Sequence, residues 1–377
     1  MPVKDRVVTW FIQNVVIPKR EIIDNPGFIV TTFTEYKQET YLREIFLGEF
    51  LFELIEDKII ERYGDQGKQV LYSAGKKFGY LYASLSNFPT INNHSIKELN
   101  DFLYSFVRYL EVTFSRQATH EINFEEKSFT IALKDYIVCR HNGHGYIMTE
   151  GGTAGIWAFM MQDNEIESSH LECQGRGDSN CLILCAPKDK ILEKTKDCYH
   201  ESNLFELKFG EKYKVLNEIR KTTYARYSMR DLIDTGLIDF KDGSFSYKNM
   251  RLFGTESHIL YILEREIAKL DGGEEVLFEA CFSFGKFLCE IYDGNDYNKF
   301  IPDFFSALGF GDIFVNNING IQINFSFYPW TTFSDDSTYV ILRGVLSGFI
   351  SNAIGENIYF SKSSIDVGSY LTLTVKT

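Results

Sequence analysis

Two stretches of the chain match each other and decide the fold: Gln69-Val-Leu-Tyr-Ser-Ala-Gly75-Lys-Lys-Phe-Gly79 and Glu275-Val-Leu-Phe-Glu-Ala-Cys281-Phe-Ser-Phe-Gly285. Before each stretch, apolar residues recur at three- and four-residue spacing, which predicts helices over 41–63 and 258–270. After each stretch, apolar and polar residues alternate, which predicts strand pairs at 120–125 with 128–133 and at 312–316 with 321–327. A repeat on this scale indicates two copies of one structural unit.

Each copy continues with a helix that carries two glycines one turn apart: Gly151 and Gly155 in the first, Gly344 and Gly348 in the second. Such a pair lets another backbone approach closely, so we predict a helix-packing seam at these glycines. Each copy then closes on a strand, at 181–185 and 370–375. We therefore predict an α+β fold of two tandem domains, each an antiparallel sheet packed with helices. Their ranges are 1–195 and 231–377, with a basic linker at 196–230.

The acidic composition limits the partners of the chain. Its 377 residues carry a formal net charge of −13, which argues against a general nucleic-acid or anionic-membrane binder. The lysine-rich stretch 208–230 is the one place where nucleic acid or an acidic partner could dock, although a solvated helix face is the favoured interpretation. The sequence shows no leader peptide and no membrane span, so we expect a cytoplasmic protein.

Soft metal ligands cluster around one glycine turn, His170-Leu-Glu-Cys173-Gln-Gly-Arg-Gly177-Asp178-Ser-Asn-Cys181. His170 and Cys173 converge if the segment bends, and Cys181 returns across the turn, so one further ligand would complete a tetrahedral zinc site. The odd count of seven cysteines also fits free thiols better than a disulfide framework. Ordinary buried thiols are the main alternative to zinc, and a redox pair is the third interpretation.

Three of these motifs, in order along the chain, resemble a known family. They are Leu71-Tyr-x-Ala-Gly75-Lys-Lys-x-Gly79, the Gly151/Gly155 helix, and Glu172-Cys173-x-Gly-x-Gly177-Asp178-x-x-Cys181. Together they resemble the 4-vinyl-reductase (4VR) domain, the small-molecule-binding module of archaeal hydrocarbon-binding proteins and of bacterial phenol and xylene regulators. Its fold is shared with core subunits of the eukaryotic TRAPP vesicle-tethering complex. The resemblance implies a module with an apolar cavity between helices and sheet, often paired through its helices.

The resemblance also implies zinc, which the aromatic-sensing members hold with cysteines and a carboxylate. Cys173 and Cys181 match two of the family's cysteine ligands, and His170 stands where the family has a glutamate. The remaining family ligand is a cysteine just before the glycine helix. Cys139 precedes that helix by several residues more, so the fourth ligand stays open among Cys139, His141 and His144. After Cys289 the sequence has neither Cys nor His, so the second domain is a degenerate copy without this site.

The leading functional hypothesis is a non-enzymatic regulatory protein that binds an apolar or aromatic small molecule, or a lipid, and acts on a protein partner in trans. Trp157 and Trp330 are candidate pocket walls, with core packing as the alternative for each. The competing hypothesis is a TRAPP-like scaffold in which helix pairing is the function, with or without a homodimer. An enzyme is least favoured, because the sequence has no dinucleotide-binding glycine motif and no recognisable catalytic constellation.

Overall fold

The computed structural model describes residues 20–35, 38–137, 146–196, 198–204, 222–241, 244–294, 296–317, 320–329, 337–366 and 370–375. The elements of the first half are, in order, β1 (Arg20–Asn25), β2 (Phe28–Glu35), β3 (Gln38–Gly48), α1 (Glu49–Tyr63), α2 (Asp65–Leu85), α3 (Ile96–Thr113), β4 (Gln117–Asn123), β5 (Ser128–Lys134), α4 (Ile147–Met161), β6 (Ile166–Glu172), a 3-10 turn (Gln174–Arg176), β7 (Cys181–Pro187) and α5 (Lys188–Leu192).

The elements of the second half follow in the same way. They are α6 (Met229–Asp234), β8 (Asp239–Lys241), β9 (Ser244–Tyr247), β10 (Met250–Glu256), α7 (His258–Ile267), α8 (Gly273–Ile291), α9 (Tyr297–Ala307), β11 (Asp312–Asn316), β12 (Gln322–Ser326), α10 (Val340–Ile354), β13 (Phe360–Asp366) and β14 (Tyr370–Val375). The structure thus confirms an α+β fold in which antiparallel sheets pack with helices.

The described residues group into two compact units that interleave along the chain. Unit 1 takes its residues from the ranges Met1–Ile23, Val30–Leu42 and Tyr72–Leu207, and unit 2 from Asp24–Ile29, Arg43–Leu71 and Lys208–Thr377. The domain ranges 1–195 and 231–377 stay a prediction.

Unit 1 is built on a four-stranded sheet in the order β4-β5-β7-β6. Alternate residues of β5 are buried, so Phe129, Ile131 and Leu133 face the helices, as the alternating sequence predicts. On this side, α2 and α4 cross at the glycines. A Cβ at Gly155 would lie 2.6 Å from Tyr80 N, so the two backbones are in direct contact there.

Unit 2 contains a sheet of the same strand order, β11-β12-β14-β13. Its helices α8 and α10 also meet at glycines, since a Cβ at Gly348 would lie 2.7 Å from Phe282 C, and one at Gly344 would lie 2.6 Å from Cys281 Cβ. A third sheet has the order β1-β2-β3-β10-β9-β8. In unit 2 it pairs β3 with β10 in antiparallel register, from Glu44 with Glu256 to Gly48 with Leu252.

The structure corrects one predicted helix and adds strands that the sequence pattern does not predict. Residues 41–48 belong to strand β3, and the helix begins at Glu49. The spacing of Leu42 and Ile45 fits a helix, but pairing with β10 fixes the extended conformation, which is a tertiary effect that local spacing does not contain. The added strands include β6 and β13. The sequence of β6, Ile-Glu-Ser-Ser-His-Leu-Glu, is too polar to indicate a buried strand.

Candidate functional site

An apolar pocket lies within unit 2. Its walls come from the end of β3, α1, β10, α7, α8, α9 and the first turns of α10, and they include Phe46, Leu51, Phe284 and Val345. The Tyr328 hydroxyl is the one oxygen- or nitrogen-bearing side-chain group in the lining. The cavity measures about 40 Å³, room for a few water molecules. Such a lining selects uncharged, apolar molecules, because a charged one would lose its hydration without gaining partners.

Gly48 helps to shape this pocket. It ends β3 and precedes α1, and a Cβ on it would lie 3.0 Å from Met250 Cε and 3.1 Å from Phe284 Cζ. The absent side chain therefore lets Met250 and Phe284 approach the strand end. A methyl group at this position would push the flexible Met250 thioether toward the cavity that both residues line.

A buried carboxylate stands behind one pocket wall. Glu264 on α7 accepts a hydrogen bond from Ile341 N at 2.9 Å and another from Ser337 Oγ at 3.0 Å. Ile341 lies in the first turn of α10 and lines the pocket. Burial raises the pKa of Glu264 to about 7, although both hydrogen bonds and the charge of Arg343 favour the ionised form.

Unit 1 contains a buried polar cluster. Lys76 Nζ on α2 lies 2.8 Å from Glu167 Oε1 on β6, and both side chains are fully buried. Tyr72 donates to the other carboxylate oxygen at 2.5 Å, and His200 Nδ1 lies 2.7 Å from the first one. Burial lowers the pKa of Lys76, and burial together with Glu167 raises that of Tyr72. The cluster therefore gives unit 1 a paired, hydrogen-bonded core that explains how the polar strand β6 can be buried.

Residues 198–204 cover this cluster. The ring of Tyr199 packs on Tyr72 with a centroid distance of 5.3 Å, and Glu201 N donates to Glu167 Oε1 at 3.1 Å. Glu201 Oε2 also pairs with the buried Lys77 at 3.2 Å. The segment thus supplies a carboxylate that compensates a second buried lysine.

The proposed metal corner has part of the expected chemistry. His170 is buried on β6, and its Nδ1 lies 2.6 Å from Glu150 Oε1. This contact suits a zinc-binding histidine, whose second ring nitrogen commonly donates to a carboxylate. Cys173 and Cys181 are buried on either side of the 3-10 turn, and Gln174 N donates to Cys181 Sγ at 3.5 Å.

The rest of the predicted ligand set cannot be placed in the same way. Within the described ranges, no group of three or more His, Cys, Asp or Glu side chains is arranged to hold a metal ion. Cys139, His141 and His144 lie outside the described residues. Zinc at His170, Cys173 and Cys181 therefore stays a prediction.

The two tryptophans chosen from the sequence have different positions. Trp157 is buried in the core of unit 1, where its ring packs on Phe129 at 5.3 Å and its Nε1 donates to Lys127 O at 2.7 Å. Trp330 lies outside the described residues, as does most of the basic stretch 208–230. Both tryptophan assignments stay predictions.

Sequence reasoning missed the buried charges, although one of them had a visible signal. Leu260, Leu263 and Ile267 form the apolar stripe of α7, and Glu264 falls on the same stripe. A carboxylate on an apolar helix face indicates a buried, hydrogen-bonded group. The unit 2 pocket had no comparable signal, because its walls come from segments far apart in the chain.

No helix in the described part of the chain combines the length and the apolar character needed to cross a bilayer. No family model matches the sequence, and no curated protein matches it. Among solved structures, the chain is similar to the phenol-responsive sensory domain of the transcription activator PoxR, crystallised with phenol. The match has a TM-score of 0.36 and 16% sequence identity, and it covers 52% of this chain and 100% of that one.

Proposed function

We propose that this chain is a non-enzymatic regulatory protein that binds a small apolar or aromatic molecule, or a lipid chain, in the pocket of unit 2. The observation that carries the proposal is the lining, in which aliphatic and aromatic side chains surround a cavity with one hydroxyl, that of Tyr328. An occupant gains affinity by removing apolar surface from water. A separate protein partner would then recognise whether the ligand is bound.

The volume of the cavity sets a condition on the ligand. About 40 Å³ is too small for an aromatic ring, so a wall must move as the ligand enters. Several lining side chains can change rotamer, among them Met250, Leu288, Phe304 and Phe305. We therefore expect binding to be slower than diffusion and accompanied by a measurable change in the packing of unit 2.

A thermal-shift and calorimetric titration with toluene tests this function. Toluene should raise the melting temperature in a concentration-dependent way, because it binds the folded state alone. Gly48→Ala should weaken toluene binding about tenfold, since the displaced Met250 tip occupies part of the cavity, which corresponds to ~1.4 kcal/mol. Leu288→Ala should strengthen binding by enlarging the cavity.

Gly152→Ala is the matched control, because its Cβ would meet nothing closer than Gly75 O at 3.8 Å and it lies in unit 1. It should leave the toluene affinity unchanged. Absence of any toluene effect on the wild-type chain and on Leu288→Ala would contradict a ligand-binding role for the pocket.

The proposal extends to the architecture and to the metal. The chain would be a tandem pair of 4-vinyl-reductase-type domains, with zinc in the first held by His170, Cys173, Cys181 and one ligand among Cys139, His141 and His144. The resemblance of the sequence motifs supports this, as do the common strand order of the two four-stranded sheets and the glycine contacts in both units. When bound, zinc would brace the corner and leave no position open for catalysis.

The small cavity also favours a second candidate function, a scaffold whose helix pairing is the function. A pocket that side chains nearly fill needs no ligand, and close-packed helix pairs are suited to assembly. Native mass spectrometry separates the two functions. A co-purifying small molecule supports the binding protein, whereas a ligand-free chain in a stable complex or homodimer supports the scaffold.

A further inference from the structure

The first turn of α10 is both a wall of the unit 2 pocket and the attachment point of one buried carboxylate. Ile341, Leu342 and Val345 line the cavity. Glu264 binds on both sides of the helix start, to Ile341 N at 2.9 Å within the helix and to Ser337 Oγ at 3.0 Å before it. Tyr339 N donates to the same Ser337 hydroxyl at 3.2 Å. One carboxylate therefore fixes the segment that leads into α10 and the turn that follows.

The charged and titratable groups around Glu264 come from several elements. Arg343 on α10 attracts the charge of Glu264, and Glu274 on α8 repels it. Burial and the charge of Glu264 raise the pKa of Cys281 on α8 and of Tyr328, which follows β12. Lys362 on β13 donates to Ser337 O at 3.1 Å and lies over the Tyr339 ring. The N-terminus of α10 adds the positive end of its dipole. Ionised Glu264 is thus stabilised by a helix end and by the charge of Arg343.

We propose that Glu264 is a positioning residue of the pocket: its ionised form holds the first turn of α10 in place, and its neutral form releases that wall for a ligand. The inference rests on the proposed function of the pocket. An ionised carboxylate is the stronger acceptor for Ile341 N and interacts with the helix dipole, and both contributions weaken when a proton is bound. A cavity of about 40 Å³ admits an aromatic ring only if a wall yields, and this turn is a wall with a titratable attachment.

The change should occur at physiological pH, because burial raises the pKa of Glu264 to about 7. The neutral form predominates below this value, so affinity should increase as pH falls. By linkage, a ligand that prefers the released wall must in turn favour proton uptake. Each unit by which binding raises the pKa of Glu264 corresponds to about a tenfold change in affinity across the titration.

Two measurements on the full chain test the inference. In the first, the amide resonance of Ile341 is followed by NMR between pH 5.5 and pH 8.5 without ligand; these pH values are roughly 1.5 units on either side of the midpoint. It should titrate in the wild type and stay constant in Glu264→Gln. In the second, the Kd of toluene is measured over the same range, and it should fall about tenfold with pH in the wild type. Glu264→Gln should bind with a pH-independent Kd.

Glu264→Gln suits this test because the amide oxygen still accepts from Ile341 N and the amide nitrogen can donate to Ser337 Oγ. Glu266→Gln is the control, since Glu266 lies on the same helix and pairs with Lys269 at 2.8 Å. It should keep the wild-type dependence of both signals. The inference is overturned if the chemical shift of the Ile341 amide does not change with pH, whether or not toluene binds. It is also overturned if the Ile341 chemical shift changes with pH while the toluene Kd is independent of pH. Toluene that fails to bind at every pH overturns the proposed function as well, and the amide titration then still decides whether Glu264 holds the helix.

Discussion

Replacing Gly155 by Ala should separate two helices that now touch through their backbones. A Cβ at this position would lie 2.6 Å from Tyr80 N and 2.9 Å from Lys76 C, whereas non-bonded heavy atoms settle at roughly 3.5 Å. The helices α2 and α4 would have to move apart by about 1 Å. The obstacle is backbone, so no rotamer change can relieve it.

The magnitude follows from two opposing effects. Alanine is favoured over glycine in a helix interior by about 1 kcal/mol, whereas overpacking costs about 3 kcal/mol when it cannot relax. Gly155→Ala should therefore lower the free energy of unfolding by about 2 kcal/mol. Gly152→Ala, in the same helix, has only Gly75 O at 3.8 Å and should raise it by about 1 kcal/mol.

Urea unfolding followed by circular dichroism measures both variants against the wild type. Gly155→Ala should also melt about 4–8 °C lower, since 1 kcal/mol shifts the melting temperature of a unit of this size by about 2–4 °C. The reasoning is refuted if Gly155→Ala is as stable as Gly152→Ala, because the close approach of the two backbones would then have no energetic consequence.

Three other perturbations have expected outcomes. His170→Ala should lose the bound metal, measured by elemental analysis as about one zinc per wild-type chain, and should melt at a lower temperature. Cys198→Ser should keep the zinc and the wild-type melting temperature. A wild-type chain without zinc would refute this. Lys76→Met should lower the free energy of unfolding in urea by about 3–5 kcal/mol, because it leaves Glu167 buried without the Lys76 ammonium group. Adding Glu167→Gln to this variant should recover part of the loss. No recovery would argue against a charge effect. Burial, with help from neighbouring carboxylates, raises the pKa of Glu53 from 4.5 to about 7, so the folded state holds that proton more tightly than the unfolded state. Stability should therefore fall as pH rises between those values, and Glu53→Gln should flatten that part of the profile; an unchanged profile would remove the assignment.

The sequence predicts those parts of the fold that depend on local pattern. The strands at 312–316 and 370–375 have the predicted bounds, and the predicted strand at 181–185 extends to Pro187. Alternation and short turns are local properties, so they can be recognised without knowledge of the partner strand. The helix predicted for 41–63 is wrong over 41–48, because the partner of β3 lies far along the chain in β10.

The candidate site was less predictable than the fold, again for a physical reason. Glu167 appears in the sequence as an ordinary polar residue, and only the fold brings Lys76 and Tyr72 to it. The pocket depends on how Gly48, Met250 and Phe284 meet, and none of them is near another in sequence. Contacts between residues that are far apart in the sequence produce no periodic sequence pattern, so they cannot be recognised from the sequence alone.

The cavity of unit 2 has a consequence for how the chain responds to hydrostatic pressure. Empty space inside a folded protein disappears on unfolding, so compression favours the unfolded state in proportion to that space. The pocket of about 40 Å³ is a region of looser packing, so unit 2 should be sensitive to compression there. A molecule that fills the pocket reduces the volume change on unfolding, so the pressure at which unit 2 unfolds should rise even if the molecule makes no hydrogen bond.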